Sequence, residues 1–161
     1  MDSELRVGIG FDAHVFEEGV PLVLGGVAID YPRGLAGHSD GDVVSHALID
    51  ALLGAANLGD IGSLFPSEDD QYRGASSLDL LWEAYREVRD AGFELVNADC
   101  VLVGEEPRIG VVREEMSERL AGALGVEAGR VAVRATTTDG LGFTGRGEGL
   151  AAHAVALLRR A

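Results

Sequence analysis

The order of apolar and polar residues along this chain predicts alternating strands and helices. Four segments are predicted strands, because their side chains alternate with a period of two or are mainly apolar. They are residues 5–12, 93–104, 130–138 and 149–158. Residues 21–32 contain two short apolar runs around Gly25 and Gly26, which predicts a hairpin.

Helical spacing appears in three other segments. They are residues 38–60, residues 78–91 before Gly92, and residues 111–124 before Gly125. Ser39 and Asp40 are candidate caps of the first helix, and Ser76 or Ser77 is the candidate cap of the second. Residues 58–75 show no period, so we expect a long polar loop there.

The predicted elements fit one folding unit. No linker, internal repeat or low-complexity segment interrupts the pattern, so residues 1–161 are predicted to form a single domain. The order of strands and helices favours an α+β fold, with a single-layer sheet that carries its helices on one face. The other face of this sheet also needs cover, and an oligomer interface is the simplest cover.

Composition narrows the classes of function. The formal net charge is −14, and such a surface repels DNA and RNA. All 13 basic residues are arginines, which excludes a Walker A phosphate loop and a lysine Schiff base. The single cysteine, Cys100, excludes an internal disulfide and fits a reducing compartment. The chain has no long apolar run and no signal-peptide pattern, so we predict a cytoplasmic protein with no membrane partner.

Two polar residues interrupt the apolar stretch GFDAHVF at residues 10–16. Asp12 and His14 are separated by one residue, so in a strand their side chains project to the same face. A carboxylate beside an imidazole fits a metal site, but it also fits an ordinary hydrogen-bonded pair. The motif alone does not decide between the two.

A second polar set lies in HSDGDVVSHALID, residues 38–50. Asp42, His46 and Asp50 are four residues apart and share one helical face, which is costly to bury unless these side chains are paired. Two histidines and one aspartate would give a three-ligand zinc site with an open fourth position, as in catalytic sites. Asp42 or Asp50 would then orient the His46 ring. A solvated Asp–His–Asp face is the alternative.

A third stretch, RATTTDGLGFTGRGEG at residues 134–149, follows a predicted strand with three threonines and a glycine-rich turn. Hydroxyls and free backbone N–H groups can bind phosphate without lysine, although an ordinary turn explains the same residues. From the residues alone we expect a mononuclear metal enzyme that acts on a phosphate ester. A hydrolase that activates water remains an alternative.

Taken together, the three stretches resemble a known family. GFDAHVF, HSDGDVVSHALIDALLGAANLGDIGSLFP and ATTTDGLGFTGRGEG are similar, in order and spacing, to the signatures of the 2-C-methyl-D-erythritol 2,4-cyclodiphosphate synthases, over essentially the whole chain. The resemblance implies a metal-dependent lyase of non-mevalonate isoprenoid synthesis. It would convert 4-diphosphocytidyl-2-C-methyl-D-erythritol 2-phosphate into the 2,4-cyclodiphosphate and CMP.

The same resemblance implies a fold and an assembly. The expected fold is a ferredoxin-like or chorismate-mutase-like α+β arrangement, packed as a homotrimer around a threefold axis. Active sites would lie at subunit junctions. Arg146 and Glu148 match positions at one end of an axial cavity, where some members hold an isoprenoid diphosphate. A structural Arg–Glu pair that holds the trimer and a non-catalytic trimer that only binds such a diphosphate are the alternatives.

The resemblance also implies roles for individual residues. Asp12, His14 and His46 would ligate one Zn²⁺, and a second divalent cation, Mg²⁺ or Mn²⁺, would bridge the diphosphate. His38 and Thr137 would be catalytic, by stabilising charge in the transition state. The implied substrate contacts are Asp12, His14, His38, Ser39, Asp60, Ile61, Gly62, Phe65, Pro66, Ser67, Glu68, Asp69, Gly104, Glu105, Glu106, Pro107, Arg108, Ile109, Gly110, Thr136, Thr137, Thr138, Asp139, Phe143 and Arg146.

Two loops depart from the family pattern. Gly104–Arg108 reads GEEPR where the family usually has A-Q-x-P-K, and Asp139–Gly140 follows the threonines where members often carry Glu-Lys. The missing lysine predicts weaker binding of an anionic substrate. Because the cytidine is expected to be bound largely through backbone groups, the changed side chains of the first loop should matter less.

Overall fold

A computed structural model describes residues 4–161 and forms a mixed α/β fold around a five-stranded sheet. The strands are β1 Leu5–Glu18, β2 Leu22–Leu24, β3 Val27–Ile29, β4 Arg33–Leu35, β5 Phe93–Val103, β6 Val131–Thr136 and β7 Gly149–Arg160. The helices are α1 Val43–Ala55, α2 Ile61–Leu64, α3 Ser77–Asp90, α4 Arg113–Leu124 and α5 Gly142–Gly145, with 3₁₀ turns at Asp70–Tyr72 and Ala128–Arg130. The strand order is β4-β1-β7-β5-β6, and β2 and β3 form a separate hairpin.

The long strands β1 and β7 form the centre of the sheet. They pair antiparallel from Leu5 with Arg159 to Val15 with Gly149. β5 pairs antiparallel with β7 and parallel with β6, so the ends of β5 and β6 lie side by side. The sheet end that holds Asp12 and His14 is therefore also the end at which β5 and β6 finish.

The two faces of β1 differ sharply in side-chain size. Gly8 and Gly10 point inward to α1, and a Cβ atom at either position would lie 1.9 Å from a carbonyl oxygen of the helix. The residues that alternate with them are large, apolar and exposed, with Val7 70% and Ile9 71% accessible. The glycines therefore let α1 lie directly on the strand, while an apolar surface remains on the opposite face.

The core lies between the sheet and the helices. α1 contacts β1 and β7, α3 packs on α1, and α4 packs on β6 and α3. Leu48, Leu52, Leu81, Leu120 and Leu158 are among its fully buried side chains. Nowhere in residues 4–161 does a helix have both the length and the apolar character that a bilayer crossing demands.

Several predicted elements agree with the structure and several do not. The hairpin at Gly25–Gly26, the helix that ends before Gly125 and all four predicted strands are present. The first strand, however, continues to Glu18 instead of ending at residue 12, and β4 was not predicted. The segment 58–75 is not entirely loop, because it contains α2 and a 3₁₀ turn. Cys100 is fully buried as expected, and burial raises the pKa of its thiol to about 12.

The first long helix begins later than its sequence suggests. α1 starts at Val43 with Asp42 as its cap, not Ser39 or Asp40, because Gly41 has a left-handed φ of 75° that interrupts the helical backbone. The buried Asp42 carboxylate accepts hydrogen bonds from Ser45 and from the backbone N–H groups of Gly25 and Gly26. Asp42 thus joins the start of α1 to the β2–β3 hairpin.

Candidate metal centre

Three side chains converge where the amino end of α1 crosses β1. Oδ2 of Asp12 lies 2.7 Å from Nε2 of His14 and 3.0 Å from Nδ1 of His46, and the two ring nitrogens are 3.3 Å apart. Asp12 and His14 extend the inward row of Gly8 and Gly10, as the strand alternation predicts. Within residues 4–161, Asp12, His14 and His46 form the one cluster of three or more His, Cys, Asp or Glu that could hold a metal ion.

The opposite edges of both imidazoles are occupied by protein groups. Nδ1 of His14 lies 2.8 Å from the carbonyl oxygen of Ala36, and because a carbonyl only accepts, this nitrogen carries a proton. Nε2 of His46 lies 2.9 Å from the hydroxyls of Ser39 and Ser77. With its proton on Nδ1, neutral His14 directs a lone pair at the cluster, which is the orientation that a ligand of a metal needs.

The pKa values of Asp12 and His14 both shift toward the charged form of each group. Burial raises the pKa of Asp12, but hydrogen bonds from His14 and His46 outweigh this effect and lower the pKa from 3.8 to about 2. The hydrogen bond to Asp12 raises the pKa of His14, against the opposing effect of burial. A proton shared with an ionised carboxylate at this position occupies the place that a metal cation would take.

The cluster opens into a cavity of about 410 Å³. Its lining residues are Asp12, His14, His38, Ser39, His46, Ile61, Gly62, Phe65, Ser67, Glu68, Tyr72 and Leu80. Ten of these belong to the predicted site residues, while Tyr72 and Leu80 were not expected. Of the predicted lid, Pro66 and Asp69 do not line the cavity, and neither does Asp60.

Hydrogen bonds fix the wall of this cavity opposite the cluster. Asp60 caps α2 by accepting from the N–H of Ser63 at 2.8 Å. The half-buried Asp50 accepts from the N–H of Ile61 at 2.7 Å, and burial raises the pKa of this carboxyl. His38 donates from Nε2 to the carbonyl oxygen of Asp69 at 3.1 Å, which ties it to the segment expected to be the lid.

The prediction that Asp42 or Asp50 orients the His46 ring is therefore wrong. Asp42 is turned to the hairpin and Asp50 to Ile61, so neither carboxylate reaches the His46 ring. The ring is held instead by Ser39 and by Ser77, which stands at the start of α3. Ser77 is separated from His46 by 31 residues, and no spacing rule in the sequence links the two.

The remaining predicted residues lie at the same sheet end but outside this cavity. Glu105 joins the two loops there, because its Oε1 accepts from the N–H groups of Thr138 at 3.3 Å and Gly140 at 3.2 Å. Glu105 and Glu106 line a smaller cavity of about 180 Å³ together with Arg146. In the strand order, β6 and its threonines are three strand spacings from β1, or about 14 Å.

In the threonine loop one hydroxyl is exposed, and the hydroxyl of the next threonine is hydrogen-bonded within the loop. Thr137 is exposed and contacts Asp139 at 3.3 Å, whereas Thr138 donates to the carbonyl oxygen of Leu141 at 2.6 Å. Arg146 pairs with Glu148 at 2.9 Å within the chain. An isoprenoid diphosphate at this position stays a prediction.

The mixed α/β fold and the Asp–His–His cluster at the base of a cavity together indicate an enzyme with a candidate metal site. The model of the YgbB family matches residues 5–159, and the chain belongs to this family. The 2-C-methyl-D-erythritol 2,4-cyclodiphosphate synthase of Moorella thermoacetica is 57% identical over 154 residues, which are 96% of this chain and 94% of that protein. The synthase of Rubrobacter xylanophilus is 59% identical, over 97% and 96% of the two chains. The resemblance noted in the sequence is thereby confirmed.

Solved structures agree with the sequence comparison. The bifunctional IspDF from Campylobacter jejuni superimposes with a TM-score of 0.96 at 44% identity, over 99% of this chain and 43% of that one. A 2C-methyl-D-erythritol-2,4-cyclodiphosphate synthase in a CDP-bound form gives a TM-score of 0.86 at 41% identity, over 95% and 99%. The IspF of Plasmodium falciparum in complex with CDP gives 0.85 at 28% identity, over 99% of both chains.

Proposed function

We propose that this chain converts 4-diphosphocytidyl-2-C-methyl-D-erythritol 2-phosphate into 2-C-methyl-D-erythritol 2,4-cyclodiphosphate and CMP. It would act as a phosphorus–oxygen lyase in the non-mevalonate route to isoprenoid precursors. The observation that carries the proposal is the convergence of Asp12, His14 and His46 at the base of a cavity of about 410 Å³. Membership of the YgbB family supports the choice of substrate.

The reaction requires no nucleophilic side chain from the protein. An oxygen of the 2-phosphate attacks the β-phosphorus, the bond from that phosphorus to the bridging oxygen breaks, and CMP leaves with the bond electrons. Catalysis of this kind depends on alignment of the two phosphates and on stabilisation of the charge that develops on them. His38 lines the cavity and would donate to a phosphate oxygen, and Thr137 would donate from the threonine loop.

The donor set fits a zinc ion. One carboxylate oxygen and two imidazole nitrogens are ligands that Zn²⁺ prefers, and three protein ligands leave a position for substrate, as in catalytic sites. A second divalent cation, Mg²⁺ or Mn²⁺, would bind at the diphosphate. When bound, these cations neutralise phosphate charge. A protein of net charge −14 needs such local cations to hold an anionic substrate.

The cavity also offers a place for the sugar. Ser39 and the segment Asp60–Gly62 would hold the phosphate and hydroxyl groups of methylerythritol, with Phe65–Asp69 as a lid. The loop Gly104–Gly110 would bind cytosine and ribose, and Thr136–Asp139, Phe143 and Arg146 would complete the substrate contacts. The loops that follow β5 and β6 lie at one end of the sheet, because these two strands are parallel neighbours.

The distribution of these residues supports a homotrimer of single-domain chains. The exposed face of β1 carries Val7, Ile9 and Phe11, whose side chains are 52–71% accessible, and burial of such a surface favours association. In one chain the loop Gly104–Gly110 lies outside the cavity that holds the metal cluster. A neighbouring chain would bring its own copy of that loop to the cavity and complete a site at the junction.

The proposal is tested by assaying metal content and product on one purified sample. We expect about one zinc per chain, release of CMP together with a cyclic diphosphate, and loss of turnover after removal of metal with EDTA. Return of activity on addition of Zn²⁺ with Mg²⁺ is the control. Full activity in metal-free buffer, or release of inorganic phosphate or a linear diphosphate as with a hydrolase, would contradict the proposal.

Replacement of Thr137 tests the role of the threonine loop. We expect Thr137→Ala to lower kcat by about 10²-fold, because one hydrogen bond to the transition state is lost. KM should change little, and steady-state release of CMP measures both constants. Thr137→Ser keeps the hydroxyl and is the matched control, with kcat near that of the unchanged protein. An effect confined to KM would mean that Thr137 only binds the substrate.

A further inference from the structure

The ring of His46 is held on its far side by a chain of buried polar groups. Nε2 of His46 is 2.9 Å from the Ser77 hydroxyl, and that hydroxyl in turn contacts Oδ1 of Asp40. His46 is 8% accessible and Ser77 is fully buried. These contacts link a loop before α1, the first residue of α3 and a candidate metal ligand on α1.

The direction of each hydrogen bond follows from the groups involved. An ionised carboxylate only accepts, so the Ser77 hydroxyl donates its proton to Asp40. The oxygen of Ser77 is then an acceptor, and the proton between it and His46 belongs to Nε2 of the ring. Neutral His46 consequently has no proton on Nδ1, the nitrogen that faces Asp12 and His14 at 3.0 and 3.3 Å.

Asp40 also fixes the place of Ser77. Its second oxygen accepts from the backbone N–H of Ser77 at 3.0 Å, so this distant carboxylate satisfies a free donor at the start of α3. Ser76, the cap residue by position, makes no side-chain hydrogen bond to the helix. The polar groups at this helix end are thus arranged around Ser77 and the His46 ring.

From this geometry we infer that Asp40 and Ser77 are positioning residues for the metal ligand His46. With a cation bound, they would hold the ring with Nδ1 unprotonated and directed at that cation, without contact with substrate. The inference rests on the proposed role of Asp12, His14 and His46 as zinc ligands. Partners of this kind behind a ligating histidine are typically worth 10- to 100-fold in metal affinity.

The test is a titration of the metal-free full chain with Zn²⁺ against a chromophoric chelator, without substrate. We expect Ser77→Ala to weaken zinc affinity about 10- to 100-fold. Ser77→Thr keeps the hydroxyl and should recover at least part of that loss. Ser76→Ala is the matched control on the same helix and should bind zinc as the unchanged protein does, because its side chain caps nothing.

Asp40→Asn keeps the inference testable if Ser77→Ala fails to fold. An amide is a weaker acceptor than a carboxylate, so we expect lower zinc affinity in this variant too. A second readout is the ¹⁵N spectrum of the histidine rings in the zinc-loaded protein, where the Nε2–H signal of His46 should shift in Ser77→Ala. Unchanged affinity in folded Ser77→Ala would overturn the inference alone, whereas an unchanged protein that binds no zinc would overturn the proposed function.

Discussion

His46→Ala is expected to abolish turnover while the chain still folds and assembles. The substitution removes one of three converging ligand atoms, and the Asp12–His14 pair that remains is a weaker site for zinc. Bound metal supplies several kcal/mol of charge stabilisation, and about 1.4 kcal/mol corresponds to a tenfold change in rate. Release of CMP should therefore fall by at least about 10³-fold, together with the zinc content of the purified protein.

The same sample separates a catalytic loss from a structural one. Size-exclusion chromatography and far-UV circular dichroism should match those of the unchanged protein, because His46 lies at the edge of the core and its backbone is held within α1. Normal release of CMP by a zinc-free His46→Ala protein would show that the cluster has no part in catalysis. Loss of the assembly would instead show that the ion is structural.

Gly10→Ala is expected to destabilise the chain strongly, because α1 lies directly on β1 at this position. The new Cβ would lie 1.9 Å from the carbonyl oxygen of Ala47, which is backbone and has no rotamer by which to move aside. Either β1 or α1 must shift, at a cost of about 3 kcal/mol or more. Since β1 holds Asp12 and His14 and α1 holds His46, zinc affinity should fall together with the midpoint of thermal unfolding.

Gly122→Ala is the matched control for this substitution. Gly122 lies in the exposed part of α4, where an added Cβ would meet no atom within 4 Å. Alanine in a helix is favoured over glycine by about 1 kcal/mol, so this variant should unfold at a higher temperature than the unchanged protein. A Gly10→Ala protein with an unchanged unfolding midpoint and normal zinc binding would contradict the close contact between α1 and β1.

Local patterns were sufficient to predict most of the fold. Alternation located the four long strands, and helical spacing located the three long helices. The three-residue strand β4 shows no period of its own and is defined only by pairing, for example Leu35 with Phe16 of β1. The start of α1 was placed too early, because Ser39, Asp40 and Asp42 are all good caps and only the left-handed Gly41 separates them.

The full set of three metal ligands was predicted from the family resemblance, and simple spacing rules supported part of it. Asp12 and His14 share a strand face, and His46 lies near the start of the next long helix. The groups behind the His46 ring were predicted wrongly, since Asp42 and Asp50 satisfy the spacing but hydrogen-bond to the hairpin and to Ile61. Ser77 enters the site only through the packing of α3 on α1, which is a long-range property of the fold.

The opposite characters of the two faces of β1 also protect the chain against misfolding. Pairing displaced by one residue would turn every side chain of the strand over. Phe11 and Ile9 would then meet the helix where only glycine fits, and Asp12 and His14 would lose the imidazole of His46. Such an error would remove the packing of α1, the exposed apolar surface and the candidate metal centre at once, so no partly functional misaligned form of this strand is expected to persist.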